Sequence, residues 1–88
     1  MSGAFTLSPC AVWPDEFFVF SDGVFAAKLR PAGRDGVSLE NDRGGPVLTP
    51  DEARQVLALV RARGVARYAG AQRVEVCNAG LIAYGFTA

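Results

Sequence analysis

Histidine is absent from this 88-residue chain, lysine occurs once (Lys28), and the two cysteines, Cys10 and Cys77, stand alone with no C-x-x-C spacing. Each absence closes off some chemistry. Without histidine there is no Ser-His or Cys-His activation of a nucleophile. A structural zinc site takes about four Cys or His ligands, which two thiols cannot supply, so neither metal nor cofactor is expected. No apolar run approaches the roughly 20 residues of a membrane-spanning helix, and no membrane partner is expected. The opening MSGAFTLSPC has no basic stretch followed by an apolar one, so it does not read as a secretion signal. The expected compartment is the cytoplasm, where lone cysteines stay as buried free thiols.

Catalytic groupings are equally scarce. PAGRDG has neither the glycine spacing nor the following helix of a dinucleotide fingerprint, and there is no P-loop. Asp15 and Glu16 are adjacent carboxylates beside a proline and read as a turn rather than an acid–base pair. Glu75 alternates with Val74 and Val76 and so belongs to a polar strand face. Cys77 shares that face with no base to activate it. The expectation is a protein that is not an enzyme.

What is present is half apolar residues and a fifth charged ones, the balance of a single small globular domain spanning residues 1–88. Net charge is zero but unevenly spread. Asp15, Glu16 and Asp22 sit in the first 27 residues with no base, whereas Arg54, Arg61, Arg63, Arg67 and Arg73 face only Glu75 in residues 54–88.

The stretch GGPVLTPDEARQVLALVRARG, Gly44 to Gly64, specifies a helix from about Pro50 to Arg63. Thr49 and Glu52 have the spacing of a capping box, and Pro50 occupies the first helical position, where its missing N–H costs nothing. Asp51 and Glu52 lie at the positive end of the helix dipole, Arg61 and Arg63 at the negative end. Gly64 is the expected left-handed stop, after which Val65 folds back. The stripe Ala53, Val56, Leu57, Val60 has the helical spacing of a buried face.

The remaining segments read as strands. FFVF and VFAAKL flank Ser21-Asp22-Gly23, a hairpin signal. GVSLEN turns through DRGG toward the helix. RVEVC and LIAYGF flank Asn78-Ala79-Gly80, read as a three-residue loop. FTL adds a possible strand at the front, Trp13 lies between Pro9 and Pro14 at an edge or in a loop, and RPAGRDG is the most mobile loop expected. The fold class is therefore α+β, an antiparallel sheet of about five strands with one helix packed on one face, in the order β-β-β-α-β-β.

The strands do not alternate as a half-exposed sheet should. Phe17 and Val19 point one way, Phe18 and Phe20 the other. In VFAAKL, Phe25, Ala27 and Leu29 are expected on one face and Val24, Ala26 and Lys28 on the opposite one. One helix covers one face, so the surplus has three possible covers: the N-terminal segment carrying Phe5, Leu7 and Trp13, a second copy of the chain, or a different protein. The candidate partner-binding residues are Phe18, Phe20 and Trp13, together with Arg54, Ala58 and Arg61 on the outer helix face. There, small residues beside arginines let a partner approach closely. The alternative is a nucleic-acid-binding module using Arg54, Arg61, Arg63, Arg67 and Arg73 on phosphates, against which stands the neutral overall charge. A structural homodimer is the third reading.

Val37–Leu59, VSLENDRGGPVLTPDEARQVLAL, resembles an element found in short proteins of high-GC bacteria and their phages, in which a strand turns through Gly-Gly into LTP-x-EAR and a helix. The resemblance implies no catalytic residue. In size, in lack of enzyme motifs and in spare apolar surface the chain is also similar to phage-encoded inhibitors of host defence, anti-CRISPR proteins among them. That similarity implies a protein that works by covering a surface of its partner.

Overall fold

The computed structural model describes residues 4–88. Six strands form one sheet in sequence order: β1 Phe5–Pro9, β2 Phe17–Ser21, β3 Val24–Ala32, β4 Gly36–Asn41, β5 Arg73–Asn78 and β6 Leu81–Thr87. Between β4 and β5 come the helix α1, Pro50–Ala62, and a single turn of helix, α2, Ala66–Ala69. The α+β class and the single main helix are as the sequence indicates. FTL is a full strand of the sheet and extends to Pro9.

One pairing departs from expectation. All neighbours are antiparallel except β4 and β5, which run parallel from Gly36↔Arg73 to Asn41↔Asn78. The reason is the crossover. After β4 the chain turns through Asp42–Thr49, and α1 carries it back to the end where β4 began, so β5 sets out in the same direction as β4.

Thr49 caps α1 as its spacing demands. Its hydroxyl accepts from the Glu52 N–H (3.2 Å), and the Glu52 carboxylate accepts from the Thr49 N–H (2.8 Å). Gly64, at φ +75°, ends the helix in the left-handed region. Val65 folds back against the core. The helix runs obliquely across the sheet. Near its start Arg54 lies over the Phe86 ring of β6, and near its end Leu59, Ala62 and Arg63 lie along β1.

The core lies between α1 and one face of the sheet. Ala53, Val56, Leu57 and Val60 from the helix meet Phe5, Phe17, Val19, Ala27, Leu29, Val37, Leu39, Val74 and Val76 from the strands. Each of the valine, leucine and phenylalanine side chains among them, fully buried, is worth about 1.5–3 kcal/mol. Tyr68 of α2 is fully buried at one end of this layer, and its hydroxyl donates to the Asp15 carbonyl in the β1–β2 loop. Burial there, with the Asp15 charge adding to it, pushes the Tyr68 phenol up to about 12.

The β2–β3 and β5–β6 hairpins use two-residue turns. Asp22 and Gly23 both have positive φ (51° and 82°), as do Ala79 and Gly80 (52° and 82°), the handedness that matches strand twist. Asn78 therefore belongs to β5, and the three-residue loop expected from the sequence is a two-residue turn. RPAGRDG is not a free loop either. Arg30 to Ala32 belong to β3, and the turn at 33–35 is held by Arg67, which donates to the Gly33 and Arg34 carbonyls, and by Arg73, which reaches Asp35 (3.2 Å) and the Ala32 carbonyl (3.2 Å).

The N-terminal segment does not lie across the second face of the sheet. It joins the edge as β1, with Phe5 and Leu7 turned to the helix side and Trp13 57% exposed in the loop beyond. Phe25 also departs from expectation. A bulge sets Val19 opposite Ala27 but Phe20 opposite Phe25, which leaves Ala26 as the extra residue. Ala27 and Leu29 stay in the core while Phe25 moves to the opposite face beside Phe20. Cys10 and Cys77 are free thiols, half-buried rather than buried.

Candidate protein-binding surface

The face of the sheet turned away from α1 has no second layer from the described residues. Its side chains come from alternate positions of every strand: Thr6 and Ser8, Phe18 and Phe20, Phe25, Lys28 and Arg30, Ser38 and Glu40, Glu75 and Cys77, then Ile82.

Two regions of this face behave differently. The centre neutralises itself. Arg30 faces Glu40 (3.7 Å), Ser38 donates to the same Glu40 (2.9 Å), and Arg73 pairs with Glu75 (3.6 Å). The Cys77 sulfur lies 3.7 Å from the Ser38 hydroxyl. Toward β2 and β3 the surface is aromatic. The Phe20 and Phe25 rings meet edge to face, with centroids 6.2 Å apart at 78°, the arrangement the ring quadrupoles favour. Lys28 sits over the Phe18 ring (5.7 Å) and Arg43 over the Phe25 ring (4.9 Å). Lys28 is also paired with Glu16 at 2.8 Å, and that hydrogen bond holds its ammonium above the usual lysine range. Between the three rings and the charges of Lys28, Glu40, Asp42 and Arg43 is an open concavity of about 520 Å³.

Such a surface offers flat apolar area with charged groups of both signs at its rim. Protein–protein interfaces in general combine an apolar centre with a polar rim, and aromatic and arginine side chains carry most of their energy. Of the carboxylates on this surface, Glu16, Glu40 and Glu75 are each in ion-pair range of a lysine or arginine. Among the described residues no group of three or more Cys, Asp or Glu side chains is placed to hold a metal ion. No helix among them is long and apolar enough to cross a membrane.

The residues singled out from sequence fall in three places. Phe18 and Phe20 lie in the aromatic region. Trp13 is at the other end of β2, in the loop that Tyr68 tethers through Asp15. In that loop the Trp13 and then the Val12 backbone N–H groups point at the Cys10 sulfur and lower its thiol pKa. Arg54, Ala58 and Arg61 lie on the exposed side of α1, but both arginines have duties within the chain. Arg54 pairs with Asp51 (3.5 Å) and covers Phe86 (4.8 Å), and Arg61 donates to the Ala71 carbonyl (2.8 Å). Ala58 is exposed between them.

The five arginines proposed for phosphates are spread out. Arg54 is toward β6, Arg61 at the α2–β5 connection and Arg63 over the Phe17 ring (5.3 Å), while Arg67 and Arg73 clamp the β3–β4 turn. Sequence reasoning missed Phe25 and Arg43 as members of the aromatic region. Phe25 reaches it through a bulge, and the Ala26-Ala27 pair that forms the bulge carries no signal of its own.

Comparison of the chain with protein-family models, with curated proteins and with solved structures found no match.

Proposed function

We propose that this chain is a small, non-enzymatic protein-binding module that engages its partner through the aromatic region of the bare sheet face. The observation that carries the reading is the cluster of Phe18, Phe20 and Phe25, half-buried and crowned by Lys28 and Arg43, on a face with no covering layer among the described residues. Such a cluster is costly to leave in water and useful once another protein covers it. The mechanism is steric. Bound over a functional surface of its target, the domain blocks that surface without chemistry, as small phage or mobile-element inhibitors of host defence complexes do.

The engagement of Arg54, Arg61, Arg67 and Arg73 within the chain weighs against a phosphate-binding stripe, because each would have to give up an internal partner.

Affinity capture from lysates of high-GC bacteria, compared between wild type, Phe20→Lys and Ala58→Arg, tests the proposal. Loss of the captured partner in Phe20→Lys, with folding intact and Ala58→Arg unaffected, is the expected result. The reverse pattern moves the partner to the helix face. Retention on generic DNA or RNA that falls with salt replaces the reading with the nucleic-acid one.

A further inference from the structure

We propose that the cleft between β1 and the C-terminal half of α1 binds an extended segment of another protein as an added strand, with a carboxylate of that segment on Arg63. This rests on the protein-binding reading above but uses a different surface from the aromatic region.

β1 is one of the two edges of the sheet. The Asp22 N–H donates to the Ala4 carbonyl (3.2 Å), which fixes the parity of the strand. Ala4, Thr6 and Ser8 turn their backbone groups toward β2, so those of Phe5 and Leu7 point outward, with no backbone partner among the described residues. An unpaired edge is a template for another strand. Pro9 shares the outward parity but has no N–H, which sets where the added ladder ends.

The edge is walled on one side by the helix. Phe5, Thr6 and Leu7 with Leu59, Ala62 and Arg63 line a shallow, open cleft of about 390 Å³. Leu59 is 37% exposed at its wall, and Ala62 is small enough to leave room beside it. An edge strand flanked by a helix is how several domains take extended peptides. Main-chain hydrogen bonds supply affinity, and alternate side chains enter the cleft.

Arg63 indicates the chemistry of the occupant. It lies over Phe17 (5.3 Å), with no carboxylate in ion-pair range among the described residues. A second copy paired through its own β1 brings no anion within that strand, since Phe5–Pro9 carries none, and the acidic residues nearest it, Asp22 opposite Ala4 and Glu16 opposite Cys10, lie on the β2 side, behind the added edge. A foreign segment with apolar residues at alternate positions and an acidic side chain or C-terminal carboxylate at the Arg63 end satisfies both the cleft and the charge.

The test uses the whole chain to select from a displayed library of random octapeptides with free C-termini, followed by titration of fluorescein-labelled synthetic copies. The expected peptides alternate apolar residues and carry a carboxylate at one end. Their Kd rises roughly tenfold or more in Leu59→Glu and in Arg63→Glu, changes less in Arg63→Lys, and is unaffected by Phe20→Lys. Binding also protects the Phe5 and Leu7 amides from hydrogen exchange. Peptides that bind Leu59→Glu and Arg63→Glu as they bind wild type overturn the proposal, as does failure to select any. A dimer in sedimentation that Leu59→Glu dissociates assigns the cleft to a second copy and also overturns it. If these fail while Phe20→Lys still abolishes capture, the protein-binding reading stands without the cleft; if Phe20→Lys is silent too, both fall.

Discussion

On the helix side of the sheet Val19, Leu29, Val37 and Leu39 are sealed into one buried apolar cluster with Val56 and Val60. On the other side of the same strands Phe18, Phe20 and Phe25 lie half-covered, and what covers them is charge: Lys28, Arg43 and the Glu16 carboxylate that holds Lys28 in place. The first face is closed by close packing, which water cannot re-enter without cost. The second is closed by long, solvated side chains whose aliphatic stems shelter the rings and whose heads stay wet. Both arrangements satisfy an apolar strand. Only the second can be set aside when a partner arrives.

The contrast can be tested by equilibrium unfolding in urea. Leu29→Ala removes a fully buried side chain from the packed face and is expected to cost about 2–5 kcal/mol. The packed layer also has an alkaline limit. The phenol of Tyr68 is held protonated by burial up to about 12, against 10.0 for an ordinary tyrosine. The folded state therefore retains a proton that the unfolded state releases, and the associated stability is present below pH 10 and lost as pH rises from 10 to 12, by roughly 2–3 kcal/mol. Tyr68→Phe should abolish that part of the alkaline slope and cost about 1 kcal/mol at neutral pH for the hydrogen bond to Asp15.

Phe20→Ala on the bare face should cost only about 1–2 kcal/mol, most of it the edge-to-face contact with Phe25. A cost equal to that of Leu29→Ala would mean that the two faces are not different in kind. Thr49→Ala, which touches neither face but removes the helix cap, is expected to cost about 1 kcal/mol. Arg43→Ala should move the midpoint least of all, because the exposed cation–π contact it makes with Phe25 contributes only about 0.5 kcal/mol. It should instead raise the binding of an apolar dye to the exposed rings.

How much of this was written in the sequence depends on whether a feature is local. The helix was legible to within a residue at each end, because Thr49, Pro50, Glu52 and Gly64 act within a single turn of chain. The β2–β3 hairpin was legible for the same reason, through Asp22-Gly23, and the β5–β6 turn was placed correctly but read one residue too long, as Asn78-Ala79-Gly80. The parallel seam was not, since the direction of β5 depends on where α1 delivers the chain. The place of the front strand was visible in part. Phe5-Thr6-Leu7-Ser8 alternates like a strand with one wet face, which a segment laid across aromatic rings has no reason to do. For the binding surface, Phe18 and Phe20 could be read from the failed alternation. Phe25 needed the bulge, and the cleft at β1 needed the oblique course of the helix, neither of which any single residue encodes.

The lone parallel seam has one more consequence. Every other pairing joins strands linked by a turn or short loop, so the first four strands and the closing hairpin each zip up from local turns, and they meet only at β4–β5 and through α1. The connection between them passes through Gly44-Gly45-Pro46, where Gly45 and Pro46 are exposed. A chain cut there should behave as a two-piece complementation pair, inert apart and folded on mixing, with the helical half supplying the lid for the meander.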